Sequence, residues 1–560
     1  MPVLKRIKES DASRHIEVAA IVVFAAFGVL ALIANPTQSQ NLPTEGRTSP
    51  AVTAQANAMP HQGWVPLKTY FSAFGSRSQN GKIILFEWDL DGNGLFDTDA
   101  TETGGYASYV YAKPGDYQVT LRVTDEQGGT ATDSLTITVR HPASSPVDYW
   151  TVFDDTRVQR VDIQITQANW NTLWIDPPSK VTVEANATIF GEQLDTIGFR
   201  MRGQFSLRES NEKKPWKIDT DYYLEGQEFH NLKQLMFINN IGDPSMIQEK
   251  LTYDMLAFAG VPSSHVSYVE LWIDISDDEQ PPIFWGVYTM VERVDKKFLA
   301  SRFGNDFKHG NLYKASHAQR GPMDLIYYGP RIEDYPTQNE EYAYGKMTNM
   351  EENDYSDVIH LARVIDGTTY ATPEDFADAL ERVFEVDTFL RYVAVMNTVA
   401  SWDYYPYTGN NYYLYNNPET GRFDWIPWDQ TWGGDVQTPL FGTTDFGLVE
   451  RAPLYDRVFE VERYRWKYAA YLDLLSRYWF NATNVYAEAE RSHLQIAPYV
   501  VQSTGDKMYF GDSALFQYTD FENGWVPLAE FAQARNQFVL QELNKILQSP
   551  SAIIEDGHEE

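Results

Sequence analysis

The stretch NTVASWDYYPYTGNNYYLYNNPETGRFDWIPWDQTWGG, Asn397 to Gly434, isolates two acids among aromatic residues. Asp429 ends an aromatic and aliphatic run just before the Gly433–Gly434 pair, and the preceding WIPW reads as a buried strand that holds one carboxylate rigidly. Asp403 follows the helical pattern VDTFLRYVAVMNTVASW, which starts at Val386. Acids so placed serve either as caps and turn residues, accepting backbone N–H groups, or as groups that do chemistry.

Working outward, residues 148–548 read as one mixed domain. Strand patterns VDIQI, VTVEANATIF, IGFRMRG and PWKIDTDY come first. IGDPSMIQEKLTYDMLAFAG then predicts a helix: Asp243 caps it, Pro244 fits its first turn, Gly260 ends it, and Glu249 lies off the Ile247–Leu251–Met255–Phe258 face. Strands VSYVELWIDI and FWGVYTMVERV follow, joined by SDDEQPP, and the second half is helical, including Pro527 to Leu547. A β-rich half before a helix-rich half predicts a two-lobed α+β fold with a ligand cleft between the lobes.

Upstream, Lys5, Arg6, Lys8 and Arg14 precede the uncharged run Val18 to Ala34, at the short end of the ~17–25 residues that span a bilayer. Residues 1–34 therefore read as a cytoplasmic basic tip and transmembrane signal anchor, or a cleaved signal. The domains would then lie in the cell envelope or outside the cell. Residues 35–62 read as a polar linker and 549–560 as an acidic disordered tail.

Between them, residues 63–142 predict a small antiparallel β-sandwich from IILFEW, YASYVYA, YQVTLRVTD and DSLTITV. WDLDGNG, YVYAKPGDYQVTLRVTDEQGG and LTITV resemble the polycystic kidney disease (PKD) domain, an immunoglobulin-like module, which implies a spacer or adhesion unit. Asp89, Asp91, Asn93 and Asp97 are spaced much as in a calcium-binding loop, although Ala100 stands where the twelfth-position glutamate belongs. A Ca²⁺ site and a solvated acidic turn both fit.

The 560-residue chain carries 78 Asp and Glu against 45 Lys and Arg, a formal net charge of -33, which opposes nucleic-acid binding. With no cysteine, thiolate metal sites, disulfides and cysteine nucleophiles are excluded. No H-E-x-x-H, G-x-S-x-G or Walker motif occurs.

A basic strand, a helix bearing an acid, a hairpin and two later acid-bearing loops follow the order of parts in a protein kinase, yet the ordinary kinase motifs are absent. FRMRGQFS, KKPWKI, DPSMIQEKLTYDMLAFAGVP, YVELWI, WGVYTMVERVDKKFLASRFG, GNLYKA, DYSDVIHLARVI and the opening stretch resemble the CotH kinases, an atypical kinase-like family named for spore coat protein H. The resemblance implies a protein kinase that uses ATP and Mg²⁺ or Mn²⁺ to phosphorylate Ser or Thr of an exported coat or matrix protein. It gives Asp429 the role of metal ligand and Asp403 that of catalytic acid/base. Asn411, or the adjacent Asn410, would serve a second metal.

The resemblance points to Lys214 for phosphate binding, with Lys217 as the substitute in a strand that also contains Lys213, and Glu249 as the lysine's partner. Arg202, Gly203 and Ser206 would lie near the phosphates, and Met290 to Glu292 at an adenine-contacting hinge. The alternative is an inactive surface adhesion or carbohydrate-binding protein, whose YYPY and NNYYLYNN aromatics would form sugar platforms for a surface polysaccharide.

Overall fold

The computed structural model describes residues 51–141, 145–207, 213–240, 242–277, 279–433, 435–442, 449, 451–500 and 518–548. The expected anchor and the acidic tail lie outside the described residues. Among the described residues no helix is long and apolar enough to cross a membrane.

Ordered chain begins before the expected linker end at residue 62. Val52–Thr53 pairs with Arg77–Ser78, Asn57–Met59 with Leu67–Ser72, and Gln62–Trp64 runs parallel to Thr130–Arg140. Composition concealed these strands because small Ala56 and Ala58 and flexible Met59 are the buried residues. The Asn57 amide donates to the carbonyls of Ser72 (3.1 Å) and Phe74 (3.0 Å).

The β-sandwich has a five-stranded sheet, ordered Gln62–Trp64, Thr130–Arg140, Gly115–Asp125, Ile83–Asp89 and Thr98–Asp99. Its second sheet is Asn57–Met59, Leu67–Ser72 and Ala107–Tyr111. Period-two alternation buries Val119, Leu121 and Val123 around Trp88.

The acidic loop is a turn whose side chains bond to its own backbone. Asp89 accepts the amides of Gly92 (2.9 Å), Asn93 (3.2 Å) and Gly94 (2.8 Å). Asp91 accepts the amide of Asn93 (3.1 Å), Asn93 that of Leu95 (2.8 Å), and Asp97 faces the Thr98 hydroxyl. Their oxygens accept backbone donors within the turn.

The larger domain opens with a closed seven-stranded barrel, ordered Gln159–Ile165, Val183–Ile189, Glu192–Met201, Trp216–Asp219, Gln234–Ile238, Ile283–Val291 and Val266–Ile275. Its interior is packed with Val161, Ile163, Phe199, Trp216, Ile218 and Phe237.

The helix Gln248–Ala259, here the cleft helix, starts later than its sequence suggests. Its N-cap is Ile247 rather than the expected Asp243, whose carboxylate nevertheless accepts the Gln248 amide at 2.9 Å, and Gly260 ends it at φ +76°. A second core joins this helix to Val386–Thr398, Glu462–Tyr478 and a four-stranded sheet ordered Gly345–Lys346, Leu312–Lys314, Tyr412–Asn417 and Arg422–Pro427. The C-terminal helix runs Tyr518–Gln548, longer than expected, with Pro527 inside it.

The β-sandwich packs into this second core, where a spacer was expected. Met59 and Phe74 belong to the core, and Tyr70 stacks on Tyr478 at 4.1 Å. Arg391 donates to the carbonyls of Ala58 (2.7 Å) and Ala259 (3.2 Å) and to Asp387 (2.7 Å). Gln62 donates to the Gly260 carbonyl at 2.8 Å, and a Cβ on Gly260 would lie 2.5 Å from His61 Nδ1. One arginine thus fastens the sandwich to the end of the cleft helix.

Asp424, buried in the Arg422–Pro427 strand, gives a pH-dependent test of this sheet. Burial pushes its carboxyl up to about 7, against a 3.0 Å hydrogen bond from Asn417. Between its unfolded value of about 4 and 7, the folded chain holds a proton that the unfolded chain has released. Stability therefore falls as pH rises through that window, by about 1.4 kcal/mol per pH unit. Asp424→Asn should flatten this slope and raise the melting temperature at pH 8. Unchanged denaturation profiles between pH 5 and 8 would refute the assignment.

Candidate active site

The antiparallel hairpin Tyr412–Asn417/Arg422–Pro427 forms the rigid base of the site. Trp425, fully buried, stacks on Tyr412 at 3.9 Å, so the predicted buried strand is present. Beyond it the chain turns sharply and Asp429 takes φ +54°, a left-handed conformation that Asp tolerates better than most residues. The Asp429 amide donates to Tyr253 Oη of the cleft helix at 3.2 Å, and Asp429 itself is exposed.

The same turn gathers the other expected groups. The Asn411 carbonyl accepts the Trp428 amide (3.0 Å) and Gln430 Nε2 (3.0 Å), binding it to both neighbours of Asp429. Asn411 Nδ2 donates to the Asp403 carbonyl at 2.9 Å. Asn410 Oδ1 accepts the His317 amide at 3.1 Å. Burial and the nearby Asp429 charge raise the Asp403 carboxyl above its ordinary value, opposed by hydrogen bonds from Thr408, Asn411 and Asn410. Ala400 (φ +51°) and Asn411 (φ +63°) also adopt left-handed backbone here. Such strain is concentrated where a site requires a particular geometry.

Two cations converge on the Trp428 ring beside Asp429. Lys314 Nζ lies 4.9 Å from its centroid and 5.3 Å from that of Tyr413, and the Arg202 guanidinium lies 5.9 Å from Trp428. Among the described residues neither makes an ion pair with a carboxylate. Burial lowers the Lys314 ammonium to about 7, and lowers Arg202 despite the pull of Asp429 and Glu249. Aromatic faces favour cations, and two cations this close repel each other, so an anion placed between them would be attracted to both.

Lys314 was not singled out in the sequence. It ends the three-residue strand Leu312–Lys314 and lies opposite Tyr413, a placement legible only once the strand pairing is known.

The other expected groups lie elsewhere. Lys214 Nζ contacts the Leu207 carbonyl (3.4 Å) and faces Trp174, and Lys217 pairs with Asp219 at 2.8 Å. Lys213 is buried over the Tyr288 ring. The expected lysine–Glu249 pair is therefore corrected: burial and Asp429 raise the Glu249 carboxyl strongly, and Arg202 is the cation that opposes them. Ser206 sits beside the Arg202–Gly203 turn, its Oγ only 2.1 Å from where a Gly203 Cβ would stand. Glu292 is corrected from adenine contact to internal strut, because its buried carboxylate accepts from Tyr149, the His265 amide (3.0 Å) and Arg302 (2.6 Å).

Comparison with known proteins reveals the relationship that this geometry belongs to. The family model described as CotH kinase protein matches residues 199–539. The chain belongs to this CotH family. A PKD domain model matches residues 48–139, so the chain reads PKD then CotH. Inner spore coat protein H of Bacillus subtilis is 23% identical over 331 residues, 59% of this chain and 83% of that protein. Invasin CotH3 of Rhizopus delemar is 21% identical over 387 residues, 64% of this chain and 59% of the invasin. Among solved structures, the PKD1 domain of Vibrio anguillarum Epp is 26% identical, with a TM-score of 0.14, covering 17% of this chain and all of that domain.

Among the described residues no three His, Asp or Glu side chains are grouped to hold a metal unaided. Asp429 and Asn411 fit Mg²⁺ in a more limited way, since this ion is commonly held by one or two protein carboxylates, water and substrate phosphates. Lys314 and Arg202 fit the phosphates.

Proposed function

We propose that this CotH chain transfers the γ-phosphate of ATP to Ser or Thr hydroxyls of an exported protein. The observation that carries the reading is the pair of cations, Lys314 and Arg202, on Trp428 beside the exposed Asp429. The barrel and the helical part behind it support a reading as the two lobes of a kinase-like fold. Mg²⁺, or Mn²⁺, held by Asp429 and Asn411 would supply a divalent charge to offset the phosphates of ATP, the phosphoryl donor.

In this reading Asp429 and Asn411 hold the metal, while Lys314 and Arg202 neutralise phosphate oxygens. Asp403 orients the incoming hydroxyl and takes its proton as the oxygen–phosphorus bond forms and the bond to ADP breaks. Burial and the Asp429 charge raise its carboxyl above the ordinary value, which favours proton uptake. The coat protein and invasin among the relatives support an acceptor outside the cytoplasm, at a cell or spore surface.

The test is transfer of labelled γ-phosphate by the full chain to itself and to an acidic generic acceptor. Wild type should transfer; Asp403→Asn and Lys314→Met should each lose about 10²-fold in kcat/KM. Lys314→Met should also weaken nucleotide binding, whereas Asp403→Asn should not. Absence of both transfer and metal-dependent nucleotide binding in wild type would replace this reading with surface adhesion. The YYPY and NNYYLYNN tyrosines do not support that alternative: Tyr404, Tyr405, Tyr407, Tyr412, Tyr413 and Tyr415 are all buried.

A further inference from the structure

Behind the cleft helix lies a cavity of about 170 Å³, walled by Trp64 of the β-sandwich and by Tyr149, Trp150 and Phe153 of the segment that follows it. Trp150 is 67% exposed and joins no aromatic pair among the described residues, so packing does not account for it. The opposite wall is polar. Lys250 Nζ is held by Asp155 at 3.0 Å and by Asp254 at 2.6 and 2.5 Å. Ser264 and His265 also line the cavity, and Ser264 Oγ and His265 Nε2 are buried without a hydrogen-bond partner.

These features select the ligand class. The charges are matched internally, Lys250 against two acids and Arg491 near Asp155, whose carbonyl its guanidinium approaches at 3.4 Å. An ionic ligand would have to break these pairs, and an aliphatic one would cover the carboxylates without replacing their lost water. A sugar ring does neither: its C–H face lies on an indole while its hydroxyls donate to Asp155 and Asp254. A cavity of roughly 150 Å³ holds benzene, so this space of about 170 Å³ takes at most part of one six-membered unit, the rest of which and the polymer would lie outward past the exposed Trp150.

We propose that this cavity binds one glycosyl unit of a neutral polysaccharide. Tyr253, which lines the cavity, is also the acceptor for the Asp429 amide. The bound unit therefore rests on the helix that positions Asp429, and occupancy stiffens that helix.

The experiment uses the full chain without nucleotide, so its outcome is independent of phosphoryl transfer. The probes are the methyl glycosides of glucose, galactose, mannose and N-acetylglucosamine and their β-linked tetrasaccharides, followed by tryptophan emission and saturation-transfer NMR. At least one sugar should bind saturably. Trp150→Ala should weaken it about tenfold or more without changing the melting temperature, and the bound sugar should slow hydrogen exchange across Gln248–Ala259. The proposal is overturned if none of these sugars binds, if Trp150→Ala binds equally well, or if protection appears only away from that helix. Displacement of a bound sugar by a leucine-bearing peptide would also overturn it, in favour of a peptide site.

Discussion

Asp429→Asn should lower phosphoryl transfer by about 10³-fold while leaving the fold intact. Asparagine is the informative replacement because it tolerates the left-handed backbone at φ +54° and keeps the amide that donates to Tyr253. Alanine would add about 1–2 kcal/mol of backbone cost and confuse loss of charge with loss of shape. If Asp429 is a metal ligand, the variant should also lose the metal dependence of nucleotide binding, measured by calorimetry with and without Mg²⁺. Retention of both transfer and metal dependence would reduce Asp429 to a turn residue.

Arg391→Met should destabilise the chain by about 3–5 kcal/mol, a large share of the roughly 5–15 kcal/mol that holds a typical domain folded. Arg391 is buried, with its guanidinium carbon Cζ 4.2 Å from the Tyr471 ring centroid. Burial works to raise the Asp387 carboxyl, but Arg391 and Lys467 prevail and hold it well below the ordinary range. Methionine would fill most of the space but leave the Ala58 and Ala259 carbonyls without this donor and Asp387 with weaker compensation. Chemical denaturation should show the loss, and calorimetry should show the β-sandwich and the large domain destabilised together. A loss below about 1 kcal/mol would mean that the interface adds little.

One strand of the hairpin was legible because WIPW combines large apolar residues with a short length and a following glycine pair, whereas its partner Tyr412–Asn417 was not read as a strand; the acids Asp403 and Asp429 stood out by isolation. The cleft helix was legible from its apolar spacing and Gly260. The lysine beside Trp428 was not. Lys214 lies before the short strand Trp216–Asp219 and Lys217 within it, and sequence alone cannot say which side of such a strand faces a site when the sheet closes into a barrel. Lys314 sits on a three-residue strand, too short for a periodic signal, and its position depends on pairing with residues about a hundred positions away. The tyrosine-rich runs misled for a related reason: composition does not distinguish an aromatic platform from an aromatic core. The docking of the β-sandwich was also invisible, because Ala58 and Ala259 take part through main-chain carbonyls, which any residue possesses.

That docking limits how this chain can be recombined. Modules of this kind are often treated as interchangeable cassettes, yet a chimera carrying another β-sandwich would have to present a carbonyl at the position of Ala58, a glutamine able to reach Gly260, and a side chain that fits against it as His61 does. A graft that matched only the sandwich architecture would fold at its front end and leave a frayed seam behind the cleft. The boundary suitable for exchange therefore lies before Val52, not at the junction near His141.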